Sequence, residues 1–109
     1  MLDMREFALE VVAFAQGHSV ADSIRDQMFR RALERSLFLV GEAANRVPRD
    51  VQAQFPEIPW PAIVGLRNLL AHGYEIISPE KLWQTATVSV PELLKHLDAV
   101  IEKQPPFEV

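Results

Sequence analysis

The feature that most constrains the fold of this chain is the spacing of its apolar residues, which recur at steps of three and four along four separate segments. That period matches one face of an α-helix and differs from the alternation of a half-buried strand. The predicted helices cover Leu2–Gln16, about Asp22 to Val47, Pro61 to about His72, and a last segment that begins after Ser78. Gly17 and Pro48 stand where the first two helices are expected to end.

The second segment carries the longest stripe, and we expect its apolar positions to be buried together. Four prolines between residues 48 and 61 predict a loop after it, with at most one short turn around Asp50 to Gln54. The predicted buried stripe consists of Ile24, Met28, Leu33, Leu37, Val40, Ala44 and Val47.

The last segment has a clear start, because Ser78 is a good capping residue and Pro79 suits the first helical turn. A β-branched run at residues 85–90, just before Pro91, is also compatible with a strand. An isolated strand would have no partner in this chain, so we predict a long helix that is kinked near Pro91.

These patterns predict an all-α protein, an antiparallel bundle of about four main helices in a single domain spanning residues 1–109. A domain of this size buries only about two thirds of its unfolded surface, so we expect a homodimer.

The absence of cysteine excludes disulfide scaffolds and thiolate metal sites. Charges interrupt every apolar run and the N-terminus lacks a basic start, so we predict a cytoplasmic protein without membrane association.

The densest polar chemistry lies at residues 65–74, where Arg67, Asn68, His72 and Tyr74 interrupt an apolar neighbourhood. On a helix, Asn68 and His72 are four residues apart and share a face, whereas Arg67 lies about 140° from His72. Histidine can act as base or acid near neutral pH, and arginine offers a charged fork for phosphate oxygens. Spacing and composition alone favour a structural role over a catalytic one, since a histidine near a helix C-terminus often meets the last carbonyls.

Residues 67–74 form the sequence Arg67-Asn68-Leu69-Leu70-Ala71-His72-Gly73-Tyr74. This segment resembles the motif of the HepT-like toxins, a branch of the HEPN superfamily. In that motif an arginine is followed by four residues, a histidine, one further residue and a tyrosine. Three further segments resemble the same family in the same order. They are residues 40–44 in the long helix, residues 56–65 before the motif, and residues 82–94 in the last helix. Phe38 departs from the resemblance, because it stands where many relatives have an acidic residue.

The resemblance implies a dimeric, metal-independent endoribonuclease toxin without a cofactor, whose catalytic residues are Arg67 and His72. It implies a supporting role for Asn68, and an MntA-type nucleotidyltransferase antitoxin that adds AMP to Tyr74. Glu42 either belongs to a solvated polar stripe or supports the catalytic arginine of its own or the partner subunit. The alternative is a non-catalytic helical adaptor that binds a nucleotidyltransferase and leaves RNA intact.

The net charge of −4 disfavours an RNA substrate, but the charge is unevenly distributed along the chain. Residues 25–67 hold seven basic and five acidic residues, whereas the rest of the chain holds four basic and ten acidic residues. The surplus of arginine therefore lies in the second predicted helix and in the approach to the motif, where an RNA cleft requires it.

Overall fold

The computed structural model describes residues 1–72 and 77–103, apart from the side chains of His72 and Lys103. Within these ranges every regular element is helical, and no strand occurs. The all-α prediction is therefore confirmed for this part of the chain. The helices are α1 (Leu2–Ala15), α2 (Val20–Arg25), α3 (Gln27–Asn45), α4 (Arg49–Gln54), α5 (Trp60–His72), α6 (Pro79–Gln84) and α7 (Val90–Lys103), with a π-helical segment (Thr85–Ser89) between α6 and α7.

Helix α3 is the centre of the bundle, because it packs against both α1 and α5, while α1 also packs against α7. Phe14, near the end of α1, stacks on Phe29, near the start of α3, with 5.0 Å between ring centroids. Helices α1 and α3 therefore run antiparallel to each other. The fully buried side chains of the core include Met4, Val11, Leu33, Leu37, Ile58, Leu82, Leu97 and Val100. No helix in the described ranges is long and apolar enough to cross a membrane.

The single long helix predicted from about Asp22 to Val47 is wrong, since the chain breaks at Asp26 into α2 and α3. Asp26 has an extended backbone, and its carboxylate accepts a hydrogen bond from the Phe29 N–H at 3.1 Å, so it caps α3. The break also changes the buried face. Ile24 and Met28 are 46% and 83% exposed, and Phe29 is buried instead.

Helix α2 begins with a reciprocal cap between Ser19 and Asp22. The Asp22 carboxylate accepts a hydrogen bond from the Ser19 N–H at 3.0 Å and lies 3.1 Å from the His18 ring nitrogen Nδ1. The bond from Ser19, followed by the interaction with His18, lowers the pKa of Asp22. The fully buried Ser23 then donates to the Pro79 carbonyl at 3.2 Å and ties α2 to the start of α6.

The segment around Pro91 is helical, as predicted, and not a strand, because a π-helical turn over Thr85–Ser89 leads directly into α7. Proline lacks an N–H and its ring clashes with the carbonyl four residues earlier in a regular α-helix. The wider π-helical turn just before Pro91 relieves this conflict. Thr85 and Thr87 also donate their hydroxyls to the carbonyls four residues before them, at 2.9 and 2.8 Å.

Helix α5, which carries the motif, begins one residue earlier than predicted, at Trp60. The indole of Trp60 is buried, and its Nε1 donates to the Phe55 carbonyl at 3.0 Å. This bond holds the start of α5 against the loop that follows α4. Ile63 is buried, whereas Leu66 and Leu70 are half-buried, so α5 lies at the edge of the bundle.

Candidate active site at the crossing of α3 and α5

The two helices that carry the predicted site residues cross unusually closely at Gly41. A Cβ atom added to Gly41 would lie 2.3 Å from the Cβ of Arg67 and 3.1 Å from its Cα. Such a contact is far shorter than van der Waals separation, so any larger residue at position 41 would push α5 away from α3. Gly41 therefore brings the backbone at Arg67 directly onto α3.

The close crossing places the Arg67 side chain against Glu42. The Nε of Arg67 donates to the Glu42 carboxylate, and its Nη1 donates to the Asn68 side-chain oxygen at 2.9 Å. The Arg67 and Glu42 side chains are only 27% and 23% exposed, so water competes weakly for this ion pair. The guanidinium is thus held in one orientation, and three of its five N–H groups have no partner within the described residues.

An aromatic ring from α3 also contacts this guanidinium. The Arg67 carbon Cζ lies 5.7 Å from the centroid of the Phe38 ring, and the Cζ of Arg35 lies 5.2 Å from the same centroid. Both distances are within the range of cation–π attraction. Sequence reasoning identified Phe38 only as a departure from the family pattern and did not link it to Arg35. The three-residue spacing on one helix was the signal that could have found this contact.

A shallow groove of about 390 Å³ runs from this ring along the surface between α3 and α5. Arg31 and Glu34 form an ion pair at 3.6 Å on its α3 side. The α5 side ends at Ala71, next to the last helical residue, His72. The groove is lined by Arg31, Glu34, Arg35, Phe38, Leu70 and Ala71.

The structure brings together three of the five residues predicted for the site, namely Arg67, Asn68 and Glu42. Asn68 is exposed, and Glu42 contacts the arginine of its own chain. His72 ends α5, but its side chain lies outside the described part of the chain, as does all of Tyr74. Their predicted roles stay predictions.

Chemically, the crossing provides a fixed cation that can bind an anionic oxygen. Arginine remains charged at any physiological pH, and its planar fork matches phosphate oxygens. No cluster of three or more His, Asp or Glu side chains that could hold a metal ion occurs within residues 1–72 and 77–103. Arg67, Asn68 and Arg35 lie close enough together near the crossing to contact an anionic ligand.

Comparison with known proteins identifies the family. A family profile described as Ribonuclease HepT-like matches residues 4–100. The chain is 34% identical to Putative RNase MJ1380 of Methanocaldococcus jannaschii, over 92% of each chain. It is 32% identical to Putative RNase TTE0752 of Caldanaerobacter subterraneus, over 91% of this chain and 86% of that one. It is 31% identical to Probable ribonuclease HepT of Thermococcus cleftensis, over 79% of each chain.

No solved structure matches the chain. The family assignment therefore rests on sequence similarity that extends over nearly the whole chain, on both sides of the α3 and α5 crossing. The chain belongs to the HepT-like ribonuclease family of the HEPN superfamily.

Proposed function

We propose that this protein is a metal-independent endoribonuclease toxin that cleaves RNA with Arg67 and His72. The observation that carries the proposal is the fixed guanidinium of Arg67, which Glu42 and Asn68 hold five residues before His72. Three of its N–H groups have no partner among the described residues and can therefore meet a ligand. The names of the relatives, which describe ribonucleases, support the same activity.

In the proposed reaction the 2′-oxygen of a ribose attacks the adjacent phosphorus. A base removes the proton of the 2′-hydroxyl, the bond between phosphorus and the 5′-oxygen breaks, and an acid returns a proton to that oxygen. The products carry a 2′,3′-cyclic phosphate and a 5′-hydroxyl. Arg67 stabilises the additional negative charge on the phosphate oxygens in the transition state, because its orientation is set before the RNA binds.

The base and the acid act on opposite sides of the phosphodiester, and a single histidine does not reach both sides at once. We therefore propose that two copies of the chain form the site. His72 of one copy removes the proton, and His72 of the other protonates the leaving oxygen. Sedimentation equilibrium would test this part, and a purely monomeric protein that cuts RNA would contradict it.

We also propose that the toxin is silenced by an MntA-type nucleotidyltransferase, which transfers AMP from ATP to Tyr74. The tyrosine oxygen forms a bond to the α-phosphorus, and pyrophosphate leaves. Because Tyr74 is two residues from His72, the added phosphate would repel the RNA backbone at the place where it must bind.

RNA cleavage in excess EDTA tests the ribonuclease proposal. Wild-type protein is expected to cut RNA, and the His72→Ala variant is expected to lose nearly all activity. His18→Ala is the matched control, because it removes a histidine that lies beside Asp22 at the start of α2, away from the Arg67–Glu42 ion pair. Equal activity of wild type and His72→Ala, or an inactive wild type, would refute the proposal.

Incubation with a minimal nucleotidyltransferase and ATP tests the silencing step. The expected result is an increase in mass of one or more AMP units, which the Tyr74→Phe variant does not show, together with loss of RNA cleavage. A chain that accepts AMP but never cuts RNA would instead support the adaptor alternative.

A further inference from the structure

The surface next to Arg67 carries a second arginine without a known task. Arg35 is exposed on α3 and has no acidic partner within the described residues, whereas its neighbour Arg31 is paired with Glu34. Because Glu34 compensates the charge of Arg31 but not that of Arg35, this part of the groove carries a net positive charge. The groove can therefore attract an anion.

The Phe38 ring sets the distance between Arg35 and Arg67. The two guanidinium carbons lie 5.2 and 5.7 Å from one ring centroid, so they can be no more than about 11 Å apart. A nucleic-acid strand carries one phosphate for about every 3.4 Å of its helix axis. Two cations at this separation can therefore contact phosphates of the same strand that are neighbours or near neighbours.

The ring also has an electrostatic effect that a carboxylate would not have. A cation–π contact orients a guanidinium without neutralising it, and it leaves the polar edge of the fork available for a ligand. Phe38 thus keeps two positive charges close together on one half-buried apolar side chain. Glu42, on the other side of Arg67, compensates only one of them.

We propose that Arg35 and Phe38 form a subsite that binds an RNA phosphate next to the one held by Arg67, an inference that rests on the proposed ribonuclease function. Arg35 contacts the phosphate directly. Phe38 is a positioning residue, since it acts through the two guanidinium groups. The groove between α3 and α5 leads the strand from this subsite to the end of α5, where His72 lies.

Salt-dependent binding tests the subsite independently of cleavage. The inactive His72→Ala protein is titrated with a fluorescein-labelled single-stranded RNA at several salt concentrations, with and without Arg35→Gln. Loss of one phosphate contact is expected to weaken binding about tenfold and to reduce the slope of log affinity against log salt by about 0.7. Arg49→Gln is the matched control, because Arg49 is exposed on α4, outside the groove, and carries the same charge.

Steady-state cleavage separates binding from positioning. In the active protein, Arg35→Gln is expected to raise KM about tenfold with little change in kcat. Phe38→Leu keeps the apolar bulk but removes the ring, so it is expected to lower kcat/KM about threefold, and Phe38→Tyr is expected to restore it.

The outcomes are distinguishable. If wild-type protein cuts RNA but Arg35→Gln matches Arg49→Gln in KM, affinity and salt slope, the subsite is refuted and the ribonuclease proposal stands. If wild-type protein does not cut RNA, the proposed function is refuted, and unchanged RNA affinity of Arg35→Gln would refute the subsite as well. Equal effects of Phe38→Leu and Phe38→Tyr would refute the positioning role of the ring.

Discussion

Within the described residues, two arginine–carboxylate pairs join long helices, and they differ in burial and in how closely the helices approach. Arg5 of α1 and Asp98 of α7 meet at 2.6 Å with side chains that are 36% and 51% exposed. Arg67 of α5 and Glu42 of α3 are 27% and 23% exposed, on a crossing that only Gly41 permits. Asp98 raises the pKa of Arg5, but water screens the pair. The comparison teaches that burial and close backbone contact, rather than the presence of a salt bridge, distinguish the site.

Replacement of Gly41 by alanine is expected to have the largest effect. The new Cβ would overlap the Arg67 side chain, so α3 and α5 must separate, at a cost of about 2 to 3 kcal/mol in the free energy of unfolding. RNA cleavage should fall at least tenfold because Arg67 moves. Urea denaturation measures the first effect. Gly65→Ala is the control, since nothing lies within 4 Å of a Cβ there, and we expect it to stabilise α5 slightly. Equal stability of the two variants would contradict the close crossing.

The Glu42→Gln variant tests the ion pair directly. The amide can still accept a hydrogen bond but carries no charge, so Arg67 loses part of its fixed orientation. We expect kcat to fall about tenfold and the free energy of unfolding to fall by only about 1 kcal/mol. The matched change, Asp98→Asn, is expected to alter neither quantity measurably. If the two variants behave alike in a cleavage assay, the distinction between the pairs is wrong.

The Asp26→Ala variant tests the opposite case, in which stability is expected to fall while the rate of RNA cleavage stays the same. It removes the carboxylate that caps α3, far along that helix from Glu42, and is expected to cost about 1 kcal/mol of unfolding free energy. Thermal unfolding measures the loss. The cleavage rate well below the melting temperature should be unchanged, and a large decrease there would mean that the start of α3 also shapes the site.

The smallest expected effect is the pH dependence of the cap at Asp22. Because hydrogen bonding lowers the folded-state pKa of this carboxyl, its stabilising contribution is present above the unfolded-state pKa and is lost as the pH falls through the lower, folded-state value. A carbon-detected NMR titration should place the pKa of Asp22 below that of an ordinary aspartate. An ordinary value would show that the bond from Ser19 is not maintained in solution.

Local rules predicted the helices well because periodic apolar spacing, capping residues and prolines act within a few residues. These rules missed the break between α2 and α3 at Asp26, because the apolar spacing continues across it and is compatible with a single helix. The capping signals were present, since Ser19 precedes Asp22 by three residues and Asp26 precedes Phe29 by the same number. At Asp26 the capping hydrogen bond to Phe29 determines where α3 begins, although the apolar periodicity continues across this position.

The site was predictable only in part. Family resemblance identified Glu42 and Arg67, but their contact spans 25 positions and depends on the space that Gly41 leaves. No spacing rule for a single helix can reveal such a crossing. The link between Arg35, Phe38 and Arg67 also required the structure, because the ring is shared by two helices.

The central claim is that the α3 and α5 crossing fixes Arg67 for RNA cleavage. Its most direct test is the single-turnover cleavage of a defined RNA in EDTA by wild-type, Arg67→Ala and Glu42→Gln proteins of verified helical content, with analysis of the product ends. The account predicts 2′,3′-cyclic phosphate ends from the wild type, near-complete loss with Arg67→Ala, and about a tenfold decrease with Glu42→Gln. A wild-type rate in folded Arg67→Ala protein would contradict it.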